Sequence, residues 1–289
     1  MEIHTPIQRE IRGHTMQMRT SGLTDTGRAR SNNEDSYVIE EPLLVVADGM
    51  GGAAAGEVAS SVTVETIASA FRDKTDISAE HAQVLLEKAI LAADDTIHKM
   101  AAKNTDQAGM GTTVVAAVKY DDRVLIGFVG DSRAYCISGT VETGHETQTQ
   151  MSAADAPTVM LKKVDDQSGK PVTSSIKRLT QDHSVVMNLV SAGVITEEDI
   201  RSHPLRNRIT KCVGSLGNLR PDFLWFTPED GDILLLCSDG LWEMVHEDIM
   251  LAVVKSSSTP FEMCKRLIAA ANDAGGHDNI TVIIAVFEK

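Results

Sequence analysis

Residues 43–52 read LLVVADGMGG, in which four apolar residues and an alanine lead to a carboxylate that is followed by three glycines. An unbroken apolar run is typical of a strand that is buried on both faces. Asp48 would then lie at the end of that strand, where an ionised carboxylate costs several kcal/mol unless a cation or hydrogen-bond donors compensate it. The glycines allow the backbone to turn tightly and to approach a bound group closely. Asp-Gly after a strand is also an ordinary turn signal, and this alternative stays open for the stretch taken alone.

Three further apolar runs also carry an aspartate at one end. Residues 124–129 lead to Asp131, residues 233–237 lead to Asp239, and Asp278 precedes the run 280–287. If these ends converge, the carboxylates cannot all stay ionised together without a bound cation. The chain has no His-x-x-x-His or Cys-x-x-Cys spacing, and oxygen ligands favour a hard cation such as Mg²⁺ or Mn²⁺ over Zn²⁺.

The composition excludes several classes of function. The chain has 289 residues and a formal net charge of −14, which argues against sequence-independent binding to nucleic acid or to an anionic membrane. The N-terminus has no apolar signal segment, and no apolar run is long enough to cross a bilayer. Four cysteines without paired spacing indicate free thiols in a reducing compartment. We therefore expect a cytoplasmic protein.

Hydrophobic periodicity predicts a mixed fold. A strand is expected from Met16, helices over residues 56–71, 78–103, 184–192, 247–255 and 260–274, and a strand over 280–287. Residues 112–120 and 123–132 read as a hairpin joined by Asp121 and Asp122, so these strands are expected to be antiparallel. Residues 49–56 (GMGGAAAG) lack the Gly-x-Gly-x-x-Gly order and no Gly-Lys-Ser/Thr follows, which argues against a nucleotide-binding loop.

Two segments depart from the rest in composition. Residues 139–178 are polar and without sustained periodicity, which predicts a long surface insertion whose Ser and Thr residues are either phosphorylation sites or simply solvated. The other segment is a basic patch in an acidic protein. It is either a solvated face or a surface that holds an anionic substrate near the site. Its members are Arg201, His203, Arg206, Arg208, Lys211 and Arg220.

Seven short motifs in order carry a resemblance to a known family. They are RSNNED (30–35), ADGMGG (47–52), GTT (111–113), GDSR (130–133), LTQDH (179–183), SDGLW (238–242) and GGHDNITV (275–282). With these motifs the chain resembles the metal-dependent, type 2C serine/threonine protein phosphatases in their bacterial form. The resemblance implies an α+β fold, a four-layer α-β-β-α sandwich of two antiparallel sheets flanked by helices. It also implies a catalytic domain over residues 16–289, after an extension over 1–15, with a flap at about 190–217.

The resemblance also implies a set of metal ligands. Asp48 would bridge two ions, the Gly49 carbonyl would bind the first, and Asp239 and Asp278 would bind the second. Asp131 would bind a third ion shared with Asp239. The implied cofactors are Mn²⁺ or Mg²⁺, two ions with a third.

The remaining site residues follow from the same resemblance. Asp35 with Glu34 would orient metal-bound waters, and Arg30 would grip the phosphate. The implied reaction is direct attack on phosphoserine or phosphothreonine by a hydroxide that bridges the metals, with no covalent phosphoenzyme. Met50 stands where animal members have a histidine proposed as the general acid, so the acid is left unassigned.

The implied partners are phosphorylated proteins, including a Ser/Thr kinase whose action the enzyme would oppose. The protein is expected to be a monomer. One rival is a non-catalytic scaffold of the same fold, which would require a lost metal ligand, whereas Asp48, Asp239 and Asp278 are all present. Another is a sporulation-type or sigma-factor-regulating phosphatase with one dedicated substrate. The sequence leaves that choice open.

Overall fold

The structure is a computed structural model that describes residues 16–51, 55–72, 74, 78–138, 158–163, 172–215 and 217–289, with the backbone alone for 158–163, 172 and 173. The predicted extension over 1–15, Gly52, and residues 139–157 and 164–171 of the predicted insertion lie outside the described residues. No helix in the described ranges is long and apolar enough to span a membrane.

Twelve strands and six helices are found in the described residues. The strands are β1 (Gln17–Asp25), β2 (Asp35–Glu40), β3 (Leu43–Met50), β4 (Gly111–Thr112), β5 (Val114–Tyr120), β6 (Arg123–Val129), β7 (Arg133–Ser138), β8 (Thr158–Lys163), β9 (Val172–Arg178), β10 (Asp222–Phe226), β11 (Ile233–Cys237) and β12 (Ile280–Glu288). The helices are α1 (Ala55–Phe71), α2 (Ala79–Lys103), α3 (Val185–Ser191), α4 (Asp239–Trp242), α5 (Glu247–Lys255) and α6 (Pro260–Asp273).

The strands form two sheets in which every pairing is antiparallel. One sheet has the order β1-β12-β11-β7-β9-β8, and the other has the order β10-β6-β5-β3-β2 with β4 paired to β3. Apolar side chains fill three layers: one between the sheets, one between α1, α2 and the second sheet, and one between the first sheet and helices α3 to α6. The predicted four-layer α-β-β-α sandwich is confirmed.

Strand β3 lies in the middle of this arrangement, as its apolar run predicts. Leu43 and Val45 pack toward α1 and α2, whereas Leu44 and Val46 pack toward the other sheet, and all four are at most 1% exposed. Successive side chains of a strand point to opposite faces, so a continuous apolar run is required here. The end of β3 is therefore held rigidly by both layers.

Side-chain caps set the beginnings of several predicted helices. The hydroxyl groups of Ser78, Ser184 and Thr259 accept hydrogen bonds from backbone N–H groups in the first turns of α2, α3 and α6. Pro260 occupies the first turn of α6, where its missing N–H costs nothing. Gly193, with φ of 68°, follows the end of α3.

The sequence analysis missed several strands and misplaced one boundary. Strands β2, β7 and β10 were not predicted, and β8 and β9 form a hairpin within the range predicted as an insertion without regular structure. Strand β6 ends at Val129 and not at Ser132, because Gly130 has a left-handed φ of 102° that turns the chain. Strands β2 and β7 mix polar and apolar residues and β10 has only a short apolar run, so their sequence signal is weak and their pairing partners hold them extended.

Candidate metal centre

One end of the sandwich collects the ends of strands from both sheets. In the second sheet Asp35 pairs with Asp48 in register, and the end of β6 lies beside the start of β5. In the first sheet Cys237, at the end of β11, pairs with Arg133 of β7 and with Val282 of β12. The two-sheet core therefore brings the four apolar runs with their aspartates to the same end of the molecule.

The backbone around Asp48 is fixed by hydrogen bonds and by close packing. Its N–H donates to Thr113 Oγ1 at 3.0 Å, and its carbonyl accepts from Thr113 N–H at 2.9 Å and from Thr112 Oγ1 at 2.8 Å. Gly49 allows helix α1 to approach, because a Cβ at this position would lie 2.1 Å from the Gly56 carbonyl oxygen. The first glycine of ADGMGG is thus required for packing.

Three aspartates of this cluster resist ionisation, chiefly because they are buried, and charges on neighbouring carboxylates add to this effect. Burial and then the charge of Asp239 raise the pKa of Asp48 well above its ordinary value. Burial followed by Asp131 and Asp278 does the same to the pKa of Asp239. The pKa of Asp131 rises to about 7, chiefly through burial. Without a cation the cluster therefore holds protons that isolated aspartates would lose.

Asp35 lies behind this cluster and is 8% exposed. Its Oδ2 accepts a hydrogen bond from Ser238 Oγ at 2.7 Å, whereas its buried Oδ1 has no hydrogen-bond partner. Burial raises the pKa of Asp35 to about 6, against the effect of the Ser238 hydroxyl. Burial also raises the pKa of the neighbouring Glu34. Both carboxyl groups lie beside the cluster and can accept further hydrogen bonds.

Arg30 lies at the rim, on a loop that the C-terminal motif holds in place. Its guanidinium donates to Asp278 Oδ2 at 2.7 Å and half of the side chain is exposed. Asn279 Nδ2 donates to the carbonyls of Thr26 and Asn32, and its Oδ1 accepts from the Glu34 N–H. The partner of Arg30 is therefore Asp278, on a different motif from Glu34 and Asp35, the carboxylates nearest to it in sequence.

The donor set at this end of the sandwich fits divalent cations. Asp239 Oδ1 is buried and has no hydrogen-bond partner among the described residues, and its neighbours are carboxylates that a cation would neutralise. Within the described ranges no three His, Cys, Asp or Glu side chains are arranged so that they could hold a metal ion by themselves. Backbone carbonyl groups and water would therefore have to complete the coordination, as hard cations such as Mg²⁺ commonly require.

The sequence analysis missed one carboxylate of this cluster. Glu243 lies one turn after Asp239, so its charge contributes to the raised pKa values of Asp239 and Asp131. Burial raises the pKa of Glu243 itself, and Arg206 Nε lies 3.8 Å from its Oε2. The spacing of four residues along α4 was the available signal, because residues i and i+4 share a helix face.

A buried ion pair supports the cluster from behind, and the sequence analysis gave its residues no role. Arg133 donates to Asp182 through Nη2 at 2.7 Å and through Nε at 3.0 Å, and both side chains are at most 3% exposed. The guanidinium lies 3.5 Å from the centroid of the Trp242 ring. Trp242 Nε1 in turn donates to the Asp131 carbonyl at 2.9 Å. The GDSR, LTQDH and SDGLW motifs therefore form one packed unit.

The six basic residues predicted as a patch are distributed among several contacts. Arg201 donates to Glu247 at 3.1 Å and contacts His246, and Lys211 donates to Asp222 at 3.2 Å. Of the described ion pairs of these residues, only Arg206–Glu243 reaches a carboxylate of the cluster. Arg201 and Lys211 are thus paired with carboxylates outside the cluster, and Arg206 lies near one within it.

Comparison with known proteins shows a family match over most of the chain. Residues 28–267 match the family described as Protein phosphatase 2C. The serine/threonine phosphatase Stp of Listeria innocua serovar 6a is 35% identical over 267 residues, which are 90% of this chain and 92% of that protein.

Solved structures agree with this match. The Mycobacterium tuberculosis serine/threonine phosphatase PstP/Ppp has a TM-score of 0.76 and 30% identity, covering 94% of this chain and 99% of that one. The catalytic domain of PstP in complex with two manganese ions has a TM-score of 0.75 and 29% identity, covering 95% and 100% of the two chains. The similarity therefore extends over nearly the full length of these proteins.

Proposed function

Because the chain belongs to the protein phosphatase 2C family, as a serine/threonine phosphatase of the bacterial form, we propose that it hydrolyses phosphoserine and phosphothreonine in proteins by metal-assisted attack of water. The observation that carries this proposal is the buried Asp239 Oδ1 without a partner, surrounded by carboxylates whose pKa values are raised. A divalent cation at that place would satisfy the atom and neutralise its neighbours.

The proposed ligands are those that the strand ends bring together. Asp48 and the Gly49 carbonyl would hold one ion, and Asp48 with Asp239 and Asp278 would hold a second. Asp131 with Asp239 would hold a third. Bound Mn²⁺ or Mg²⁺ ions would lower the pKa of water and offset the negative charge on the phosphate oxygens. The PstP structure with two manganese ions supports the divalent requirement.

The chain's own residues would orient the reactants. The exposed face of the Arg30 guanidinium can donate to two phosphate oxygens, and its bond to Asp278 keeps it at the rim. Asp35 Oδ1 lacks a partner in the protein and can accept a hydrogen bond from water, while Ser238 holds the other oxygen. Glu34, beside Asp35 in the chain, would hold a second water.

The proposed substrates are phosphoproteins, including a Ser/Thr kinase whose action this enzyme opposes, and the proposed working state is a monomer. We place the catalytic domain at residues 16–289. The flap at about 190–217 and the insertion at 139–178 are proposed to set substrate choice, since the flap reaches the cluster through Arg206 and Glu243. Deletion of residues 141–175 should change the preference among phosphopeptides, and unchanged preference would contradict this role.

The direct test is hydrolysis of a phosphothreonine peptide by purified protein with Mn²⁺, with Mg²⁺ and with EDTA. We expect turnover with either metal and none with EDTA. Asp239→Asn should remove this turnover, and Asp273→Asn, at an exposed position at the end of α6, is the charge-matched control that should behave as wild type. Equal turnover with EDTA would contradict the proposal, as would a protein that binds Mn²⁺ but hydrolyses none of a panel of phosphopeptides.

A further inference from the structure

His183 lies between two segments that both reach the metal centre. It belongs to LTQDH and is 8% exposed, with its ring stacked on Phe128 at a centroid distance of 5.4 Å. The family resemblance gave this histidine no role in the reaction. One side of the ring contacts the backbone next to Asp131, and the other side contacts side chains near the flap.

On one side His183 binds both polar groups of the Gly130 backbone. The His183 N–H donates to the Gly130 carbonyl at 2.8 Å, and the Gly130 N–H donates to His183 Nδ1 at 3.1 Å. Gly130 also lies against Thr113, where a Cβ would come within 2.6 Å of the Thr113 side chain. Because Asp131 is the next residue, these bonds fix the direction in which its side chain points from the end of the strand.

On the other side the same ring contacts a segment within the flap, residues 208–211. Since Nδ1 accepts a hydrogen bond, Nε2 carries the proton and donates to Asp222 Oδ2 at 2.5 Å. Lys211 Nζ donates to the same oxygen at 3.2 Å. The His183 carbonyl accepts from the Thr210 N–H at 2.6 Å. Thr210 and Lys211 are thereby attached to His183 through backbone and side chain, whereas Arg208 and Ile209 pair with the backbone of Val185 and Ser184.

The far end of this segment has an independent anchor. Val213 pairs with Thr112, and the Gly214 N–H donates to Asp94 Oδ1 of α2 at 2.7 Å. Gly214 has a φ of 91°, and a Cβ there would come within 2.6 Å of Ile97. This anchor does not involve His183, so the two ends of the segment can be loosened separately.

We propose that His183 is a positioning residue that couples the backbone at Asp131 to residues 208–211 through the two nitrogens of one ring. Nδ1 fixes Gly130, and Nε2 fixes Lys211 through Asp222. Loss of either bond should therefore affect a different part of the site. The statement about turnover rests on the proposed function, whereas the statement about backbone coupling does not.

Two substitutions separate the two nitrogens. In His183→Asn the shorter side chain would place its oxygen near the position of Nδ1 and lose the reach to Asp222, so this variant should keep Gly130 bonded and release the segment. His183→Gln should do the reverse. Asp222→Asn weakens the outer bond without touching the ring. Asp122→Asn, at the exposed turn at the far end of β6, is the charge-matched control.

The first readout is hydrogen exchange of backbone amides in residues 205–214, and the second is Mn²⁺ affinity by calorimetry. The loss of one hydrogen bond of ordinary strength corresponds to a change of about 3- to 10-fold in an equilibrium constant. His183→Asn and Asp222→Asn should raise exchange by that factor and leave Mn²⁺ affinity within about twofold of wild type. His183→Gln should lower Mn²⁺ affinity by that factor and leave exchange in this segment close to wild type.

The third readout is the ratio of KM for a phosphothreonine peptide to KM for para-nitrophenyl phosphate. Asp222→Asn should raise this ratio, because the flap that contains this segment is proposed to contact the peptide, whereas the ester is too small to reach it. Identical effects of His183→Asn and His183→Gln, or exchange in Asp222→Asn equal to that in Asp122→Asn, would overturn the proposal. Exchange and Mn²⁺ affinity are measured without turnover, so these two results stand whether or not the wild type hydrolyses the chosen peptide.

Discussion

Two buried charged clusters lie next to each other in this protein and are built in opposite ways. In one, Arg133 and Asp182 satisfy each other through two-pronged hydrogen bonds, with Trp242 stacked on the guanidinium. In the other, Asp48 and Asp239 face further carboxylates, and one buried oxygen has no partner. The two clusters share the GDSR and SDGLW motifs, whereas LTQDH contributes only to the first and ADGMGG and GGHDNITV only to the second.

The difference separates side chains that stabilise the fold from side chains that are expected to bind metal. A buried charge pair that is complete within the chain can only hold structure, and it positions the Asp131 backbone through Trp242. A buried cluster of one sign is costly unless something from outside completes it. We therefore expect mutations in the first cluster to act on stability, and mutations in the second to act on metal binding and turnover.

The largest effect is expected from Asp239→Asn. This change removes the carboxylate that faces most of the other acidic groups, so hydrolysis of a phosphothreonine peptide should fall at least about 10³-fold, which corresponds to about 4 kcal/mol. The measurement is kcat/KM at saturating Mn²⁺. The variant should still fold, since asparagine has the same shape and removes repulsion. Activity within tenfold of wild type would show that Asp239 does not hold the metal.

Asp182→Asn tests the complete cluster. Breaking this buried ion pair leaves Arg133 with only the more distant Glu247 at 3.8 Å, and removing one partner of a buried pair typically costs about 3–5 kcal/mol. We expect a loss of that size in the free energy of unfolding, measured by urea denaturation. After correction for the folded fraction, activity should fall far less than in Asp239→Asn. The contrast between the clusters would fail if the unfolding free energy stayed the same.

Removing the metal should make the acidic cluster visible in the pH dependence of stability. In the folded protein the pKa values of Asp131 and Asp35 are raised to about 7 and about 6, so the folded state keeps protons that the unfolded chain releases above about pH 4. Stability from these groups is present at low pH and is lost as pH rises through 7. The slope should approach about 1.4 kcal/mol per pH unit for each proton retained.

Asp131→Asn isolates this effect. The metal-free variant should lose less stability than metal-free wild type between pH 5 and pH 7, because one of the two groups no longer titrates. Urea denaturation across this range is the measurement. Parallel curves for the two proteins would show that Asp131 is ionised in the folded state without metal.

The smallest effect is expected at an exposed ion-pair group. Arg72 donates to Glu40 and to Glu65 on the surface of α1 and β2, with all three side chains at least 39% exposed. Such pairs are screened by water and contribute little. Arg72→Met should leave both the unfolding midpoint and kcat/KM within experimental error. A clear loss of stability would show that solvent exposure does not decide how much a charged group contributes to the stability of this protein.

The hydrophobic pattern placed Asp48, Asp131, Asp239 and Asp278 at the ends of apolar runs and left their convergence as a condition. The sandwich that brings these ends together was implied by the family resemblance, and the antiparallel pairing of the strands agrees with it. The burial of both faces of β3 was predicted from its continuous apolar run and is confirmed. These features depend on local sequence and on the two-residue period of strands.

The supporting contacts were not predictable because they join residues that are far apart in the chain. Arg133 and Asp182 are 49 residues apart, and Trp242 reaches Asp131 across 111 residues. No periodicity encodes such a pair. Strands β9 and β10 were missed for a similar reason, because polar residues in β9 and a short run in β10 become strands only by pairing with β7 and β6.

The central claim, that the acidic cluster is built to be completed by divalent cations, is tested most directly by the free energy of unfolding of wild type and Asp239→Asn, each in EDTA and in saturating Mn²⁺. In EDTA we expect the variant to be at least as stable as wild type. With Mn²⁺ at about 100 times its Kd, wild type should gain about 2.7 kcal/mol and the variant much less. An equal gain in both proteins, or no gain in wild type, would contradict the claim.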